Sequence, residues 1–194
     1  MAWDSINQFL VKEHVGMFKA SKHYDIFDLQ SGNQVLSCKE ETLGFFTKLL
    51  RFTDYSRMTP FALHIRDMEN KLVLEVSRGI SIFFSTVIVK DSRGKIIGSF
   101  KQHLFSIGGK FAVLDKNDKQ ISMLQGKWTG WSFSFKSDQV EHAQVTKEWA
   151  GIGREFFTTA DNYVLNYSSF LKPDSDLKKL ILAAVMCIDM VLKE

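Results

Sequence analysis

The chain has 194 residues, of which 45% are hydrophobic and 24% charged, and its formal net charge is +3 at pH 7. This composition is typical of a globular protein and excludes a largely disordered chain. It contains two cysteines, Cys38 and Cys187, without metal-binding or redox spacing, which is typical of a reducing compartment. We therefore expect one domain over residues 1–194, in the cytoplasm.

Most of the chain is predicted to form antiparallel hairpins. Segments with alternating apolar and polar residues flank turns that are rich in Asn, Asp or Gly, and this pattern indicates strand–turn–strand units. The predicted turns are Ser31-Gly32, Glu69-Asn70, Arg93-Gly94, Asn117-Asp118, Asp138-Gln139 and Asp161-Asn162. After the first gap they recur about every 21–24 residues, an internal repeat. Six such hairpins give twelve strands.

The C-terminal segment, residues 177–194, is the one strongly apolar predicted helix. From Leu180 to Leu192 only Asp189 is charged, so the helix is apolar on every side and must be buried. At about 1.5 Å per residue, the apolar run reaches about 20 Å. A bilayer core is about 30 Å thick, which favours a core helix over a membrane span.

The strands and the helix together predict the fold. Antiparallel strands hide their edges by closing into a barrel. A barrel of about twelve strands is too wide to be filled by its own side chains. We therefore predict a mainly β fold, in which a closed antiparallel barrel surrounds the buried hydrophobic C-terminal helix.

Two segments are candidates for membrane contact. The stretch between the first two hairpins is amphipathic and basic, which is typical of a segment that rests on an anionic membrane. Its candidate lipid-contact residues are Phe45, Phe46, Lys48, Leu49, Arg51 and Phe52. The alternative is a loop that packs over one end of the barrel.

The second candidate is a basic patch. Residues 90–127 contain eight Lys or Arg and three Asp, and many of the basic residues are at or beside turns. The predicted patch consists of Lys90, Arg93, Lys95, Lys116 and Lys119. It suits anionic phospholipid or another polyanion, although solvated turn lysines also protect strand edges. No nucleic-acid partner is indicated, and protein partners are not identified.

Motifs of catalysis are absent from the sequence. It contains no GxGxxG after a strand, no GxxxxGK[ST], no GxSxG and no HExxH. The histidines do not have the spacing of metal ligands on a helix; they are His14, His23, His64, His103 and His142. We therefore expect no catalytic residues and no enzymatic activity.

The C-terminal quarter carries a family resemblance. The segments "VTKEWAGIGREFFTTADNYVLNY" and "DLKKLILAAVMCIDMVLKE" closely resemble the phospholipid scramblase family, and "INQFLVKEH" and "HYDIFDLQSGNQVL" resemble its opening segment and first hairpin. The resemblance implies a Tubby C-terminal-like fold of twelve strands around a hydrophobic helix. It also implies an association with phospholipid movement between membrane leaflets, triggered by Ca²⁺.

The family's acidic Ca²⁺ loop is degenerate here. Its ligand and glycine positions correspond to Thr159, Asp161, Val164 and Phe170, so that Asp161 is the one carboxylate, with Asn162 beside it. Because Ca²⁺ needs several oxygen ligands and a glycine at the sharp turn, we expect no cofactor and no Ca²⁺ affinity better than millimolar. Asp161 and Asn162 are expected to be ordinary turn residues.

Two functions follow from the sequence. The first is a scramblase-like protein that is associated with phospholipid movement, without a working family-type Ca²⁺ loop. The alternative is a soluble Tubby-like module that binds anionic lipid headgroups or has a regulatory role, and that has no scrambling activity. Both place the protein in the cytoplasm and at the inner face of a membrane.

Overall fold

The computed structural model describes residues 3–14, 22–41, 59–80, 86–102, 110–127, 132–147 and 162–192. A short 3-10 helix spans Trp3–Ser5, and α1 spans Asp176–Leu192. The twelve strands of the described part are β1 (Gln8–Glu13), β2 (His23–Asp28), β3 (Gln34–Glu40), β4 (Phe61–Asp67), β5 (Leu72–Arg78), β6 (Thr86–Asp91), β7 (Ile96–Gln102), β8 (Phe111–Asp115), β9 (Gln120–Lys127), β10 (Ser132–Ser137), β11 (Val140–Thr146) and β12 (Tyr163–Tyr167).

The strands form one closed antiparallel barrel. Each strand pairs with its neighbours in sequence, and β1 closes the ring by pairing with β12, with Phe9 opposite Leu165. No described strand therefore has an open edge, which removes the aggregation hazard of an antiparallel sheet. The predicted mainly β barrel with a C-terminal helix is confirmed.

One of the six predicted hairpins is wrong. The turn at Asp161-Asn162 was expected to join two strands, the second of which is β12. Both edges of β12 are already filled, because Ala143 of β11 lies opposite Tyr167 on one side and β1 occupies the other. The twelfth strand of the barrel is therefore the N-terminal β1, and the other five predicted turns are correct.

Helix α1 fills the barrel. Ser175 caps its N-terminus by accepting the backbone N–H of Lys178 at 3.2 Å. From Leu180 to Met186 every side chain is buried, whichever side of the helix it lies on. The strands direct alternate residues inward against it, as the burial of Tyr24 and Ile26 on β2 shows. The helix is the centre of the hydrophobic core.

Helix and wall approach closely at β7. A Cβ added to Gly98 would lie 2.8 Å from Leu180 Cδ1 and 2.2 Å from the carbonyl oxygen of Leu114. Only glycine leaves room there for the helix and for the neighbouring strand.

Three successive hairpins share one turn design. Asp67, Asp91 and Asp115 are 24 residues apart. Each accepts, through Oδ1, the backbone N–H groups of the residues two and four positions later. The residue three positions later has a positive φ in each turn: it is Asn70, Gly94 or Asp118. The repeat seen in the sequence therefore reflects a repeated hydrogen-bonding pattern.

The barrel has two different ends. The turns that join β2–β3, β4–β5, β6–β7, β8–β9 and β10–β11 lie at one end, here called the hairpin end, because consecutive strands alternate in direction. Residues 168–175 lead into α1 from the same end. The strand ends that flank residues 42–58 lie at the opposite end. In the described part of the chain, no helix is long and apolar enough to span a bilayer.

Candidate functional site

Two neighbouring hairpin tips carry most of the predicted basic patch. Because β7 pairs with β8, the β6–β7 turn and the β8–β9 turn lie side by side at the hairpin end. Arg93 and Lys95 project from the first turn, and Lys116 and Lys119 project from the second; all four are exposed. The structure thus brings together four of the five predicted basic residues.

Two acidic residues of these turns, Asp91 and Asp115, are held by backbone N–H groups. Asp91 Oδ1 accepts the N–H groups of Lys95 and Arg93, both at 2.9 Å. The Lys95 N–H is the main cause that lowers the pKa of Asp91, and the N–H of Lys119 does the same for Asp115. The Asp91 side chain is 16% exposed, whereas that of Arg93 is 84% exposed. Solvent therefore meets the bases more than the acids.

Two other charges limit the patch. Lys90 forms an ion pair of 2.9 Å with Glu75 on the barrel wall, so it adds little to the field at the tips. Asp118, in the second turn, is exposed and accepts a hydrogen bond of 3.1 Å from Lys101 Nζ. Arg93 Nε also lies 3.7 Å from Asp91 Oδ2, which partly offsets its charge. The exposed positive charge near the tips is therefore carried mainly by Lys95, Lys116 and Lys119.

Exposed apolar side chains accompany the bases at the hairpin end. Ile96, which begins β7, is 48% exposed beside the first tip. Met68, Val140 and Phe170 are also exposed at this end of the barrel. We define the tip surface as Arg93, Lys95, Ile96, Lys116 and Lys119. Basic side chains around an exposed apolar one suit the interface of an anionic membrane.

Beside the first tip, the hairpin end is acidic, because β5 pairs with β6 and so places the β4–β5 turn next to the β6–β7 turn. A cleft of about 580 Å³ is lined there by Trp3 and by the carboxylates of Asp28, Asp67 and Glu69, among others. Ser31 Oγ donates to Asp28 and is the main cause that lowers the pKa of that carboxyl. The hairpin end is therefore electrostatically two-sided, and an anionic surface would meet the tip surface rather than this cleft.

The entrance of α1 contains a lysine that the sequence placed outside the buried segment. Lys178 is fully buried, and its Nζ donates to the Asp4 carbonyl at 2.7 Å and to Asn7 Oδ1 at 3.1 Å. It lies over the Tyr167 ring, and the Tyr167 hydroxyl donates to the Lys178 carbonyl at 3.0 Å. Burial lowers the pKa of Lys178, an effect that the charge of Asp4 opposes. These contacts attach the N-terminal segment to α1, which fills the barrel and is here called the plug.

Other predicted site residues lie elsewhere. The candidate lipid-contact residues between Phe45 and Phe52 and the candidate metal ligand Asp161 are outside the described residues. Asn162 is buried just before β12, and Val164, a position of the degenerate Ca²⁺ loop, lies in β12 opposite Leu10. The strand ends nearest Phe45 and Phe52 are at the end opposite to the tip surface.

Sequence reasoning missed a cluster of histidines. His14, at the end of β1, and His23, at the start of β2, stack with a centroid distance of 4.4 Å, and both approach Asp25. The spacing of His14 and His23 in the sequence does not match a metal-binding motif. Only the pairing of β1 with β2 brings them together.

Comparisons with known proteins agree with this architecture. The model of the Scramblase family matches residues 6–194. An X-ray structure of a protein from Arabidopsis thaliana superimposes with a TM-score of 0.53 at 16% identity, over 95% of this chain and 91% of that one. No curated protein matches the sequence. The superposition over nearly the whole of both chains agrees with the closed barrel around a central helix.

Proposed function

Because this chain belongs to the Scramblase family, we propose that it acts on membrane phospholipid from the surface, by docking its plugged barrel onto an anionic leaflet. The tip surface is the contact, and the headgroup phosphates and carboxylates of anionic phospholipid are the ligands. The cytoplasmic leaflet is the anionic one, so the protein is peripheral at that face. It binds lipid and does not catalyse a reaction.

The observation that carries the proposal is the arrangement of charge at the tips. Arg93, Lys95, Lys116 and Lys119 are exposed, while Asp91 and Asp115 accept backbone N–H groups and Asp91 also pairs with Arg93 at 3.7 Å. A basic residue near an anionic membrane contributes about 1 kcal/mol. Four of them supply up to about 4 kcal/mol, from which the exposed Asp118 and the Arg93–Asp91 ion pair subtract. This is the strength of reversible peripheral binding.

The position of α1 supports a surface mechanism. Its apolar residues already pack against the barrel wall, with Leu180, Ile181 and Leu182 fully buried. Bilayer insertion would remove them from that core and leave the barrel lumen empty. Lipid movement between leaflets, which the family resemblance implies, would then begin with the folded barrel on the membrane surface.

The test is vesicle sedimentation. The variant Arg93→Gln, Lys95→Gln, Lys116→Gln, Lys119→Gln removes four exposed charges and should weaken binding to vesicles rich in phosphatidylserine at least tenfold, which corresponds to about 1.4 kcal/mol. Binding of the wild type should weaken with salt, because the Debye length falls from about 10 Å at 0.1 M to about 3 Å at 1 M.

The matched control removes the same charge elsewhere. Lys12, Lys39, Lys110 and Lys147 lie near the barrel end opposite to the tip surface, at the end of β1, at the end of β3, just before β8 and just after β11. Their replacement by Gln should reduce binding much less than the tip variant. An equal loss in both variants would show that only net charge matters, and binding of the wild type to neutral vesicles alone would contradict the proposal.

A further inference from the structure

Three side chains with metal-ligating atoms lie on the β1–β2 pair, at the barrel end opposite to the hairpin end. His14, His23 and Asp25 each offer one such atom, and these atoms lie within 4.8 Å of one another. We infer that this cluster is a binding site for a divalent transition-metal ion of the Zn²⁺ type. The site is on the barrel wall and is separate from the tip surface.

The backbone fixes the three residues side by side. His14 N–H donates to the His23 carbonyl at 2.9 Å, which continues the pairing of β1 and β2. His23 and Asp25 are two residues apart on β2, so their side chains project from the same face of the strand. The neighbouring Tyr24 points into the core, which places both ligands on the outer face.

The distances suit a small ion. Asp25 Oδ2 lies 2.5 Å from His14 Nε2, and Asp25 Oδ1 lies 3.5 Å from His23 Nε2. Zinc–ligand bonds of about 2.0–2.2 Å imply about 3.4 Å between ligand atoms in a tetrahedral site. The distance between His14 Nε2 and Asp25 Oδ2 would have to increase by about 1 Å to reach this geometry. The His14 and His23 rings are stacked with an angle of 17° between their planes, so one ring must rotate for both to bind a single ion. The His14 side chain, which is 44% exposed, is the one with room to rotate.

The chemistry of the donors selects the metal. Two imidazoles and one carboxylate are the ligand set of Zn²⁺ and related ions, and three protein ligands leave a fourth position open to water or another donor. Calcium prefers six to eight oxygen ligands and is poorly matched. This site is thus chemically different from the acidic Ca²⁺ loop that the family resemblance implies.

A second residue orients the carboxylate. Gln34 Nε2 donates to Asp25 Oδ1 at 2.9 Å, as outer groups commonly do around metal ligands. Side-chain exposures of 44% for His14, 28% for His23 and 21% for Asp25 leave the cluster open to ions from solvent. Opposite Asp25 on β1, the ammonium of Lys12 lies over the Phe27 ring at 4.9 Å.

Titration calorimetry with Zn²⁺ tests the inference. The full chain should bind one ion at this site, and His14→Ala, His23→Ala and Asp25→Asn should each weaken that binding at least tenfold. The control is His142→Ala, since His142 hydrogen-bonds Ser137 on the β10–β11 hairpin, far from β1. This control should bind as the wild type does.

Two further measurements keep the test decisive. Co²⁺ in place of Zn²⁺ should give the visible absorbance of a four-coordinate site, and His14→Ala, an exposed position that folding tolerates, should abolish it. Excess Ca²⁺ should not displace Zn²⁺. Unchanged Zn²⁺ binding in His14→Ala and Asp25→Asn, or an equal loss in His142→Ala, would overturn the inference and leave only a His–Asp ion pair. Vesicle binding by the tip surface is expected to be unaffected.

Discussion

The buried plug can be tested by removing one side chain at a time around α1. Leu180, Ile181 and Leu182 are consecutive, so their side chains point in directions about 100° apart and together span about 200° of the helix circumference. All three are fully buried. In an amphipathic surface helix, at least one of three such positions would face solvent.

The magnitude follows from cavity formation in a packed core. Leu→Ala and Ile→Ala substitutions at fully buried positions cost about 2–5 kcal/mol. We therefore expect each of the three alanine variants to lower the free energy of unfolding by about 3 kcal/mol. For a chain of this size this corresponds to about 6–12 °C in melting temperature.

Urea unfolding followed by circular dichroism, with thermal unfolding in parallel, measures these changes. The matched control is Ile88→Ala, because Ile88 lies on the outer wall of β6 and is 36% exposed; it should cost less than about 1 kcal/mol. If any one of Leu180→Ala, Ile181→Ala or Leu182→Ala costs as little as this control, the helix has an unpacked face and the reasoning is refuted.

Two further predictions concern the contacts of the plug. Gly98→Ala should destabilise the protein strongly, because its Cβ would clash with Leu114 and Leu180, whereas Gly79→Ala, with no atom within 4 Å, should be neutral in the same unfolding assay. For Lys178, burial lowers the folded-state pKa below its usual 10.5, so the unfolded chain binds more protons between the two values. Wild-type stability relative to Lys178→Met should therefore rise with pH towards 10.5, and a relative fall of the wild-type urea midpoint would contradict this.

Local sequence signals predicted the five correct hairpins. A tight turn needs residues that tolerate a positive φ, and Asn70, Gly94, Asp118 and Asp138 adopt one. Their identities are visible in the sequence without any knowledge of the fold. The apolar run that begins at Leu180 predicted the burial of α1 in the same way, and the described side chains from Leu180 to Cys187 are buried.

Long-range pairing was beyond these signals. The barrel closes by pairing Phe9 with Leu165, and the local sequence around either residue does not identify its partner. The Asp161-Asn162 pair resembles a turn in composition, which produced the incorrect sixth hairpin. Strand pairing between residues distant in sequence depends on the whole sheet rather than on local propensity.

The site residues divide in the same way. The tip residues, such as Arg93 and Lys116, could be predicted because a turn is always at the surface. His14 and His23 could not be predicted as a pair, since only the β1–β2 register places them together. Lys178 precedes the apolar run in the sequence, and its contacts with Asp4 and Asn7, far away along the chain, could not be predicted.

Thiol labelling on membranes tests the central claim most directly, namely that the protein docks with α1 still inside the barrel. Cys38 is buried on β3, facing the lumen that α1 fills, and burial raises the pKa of its thiol, which suppresses its reactivity. In a Cys187→Ala variant Cys38 is the single thiol of the chain. We predict that N-ethylmaleimide labels it equally slowly in solution and on vesicles rich in phosphatidylserine. Rapid labelling that appears only on those vesicles would show that the plug leaves the barrel and would contradict the account.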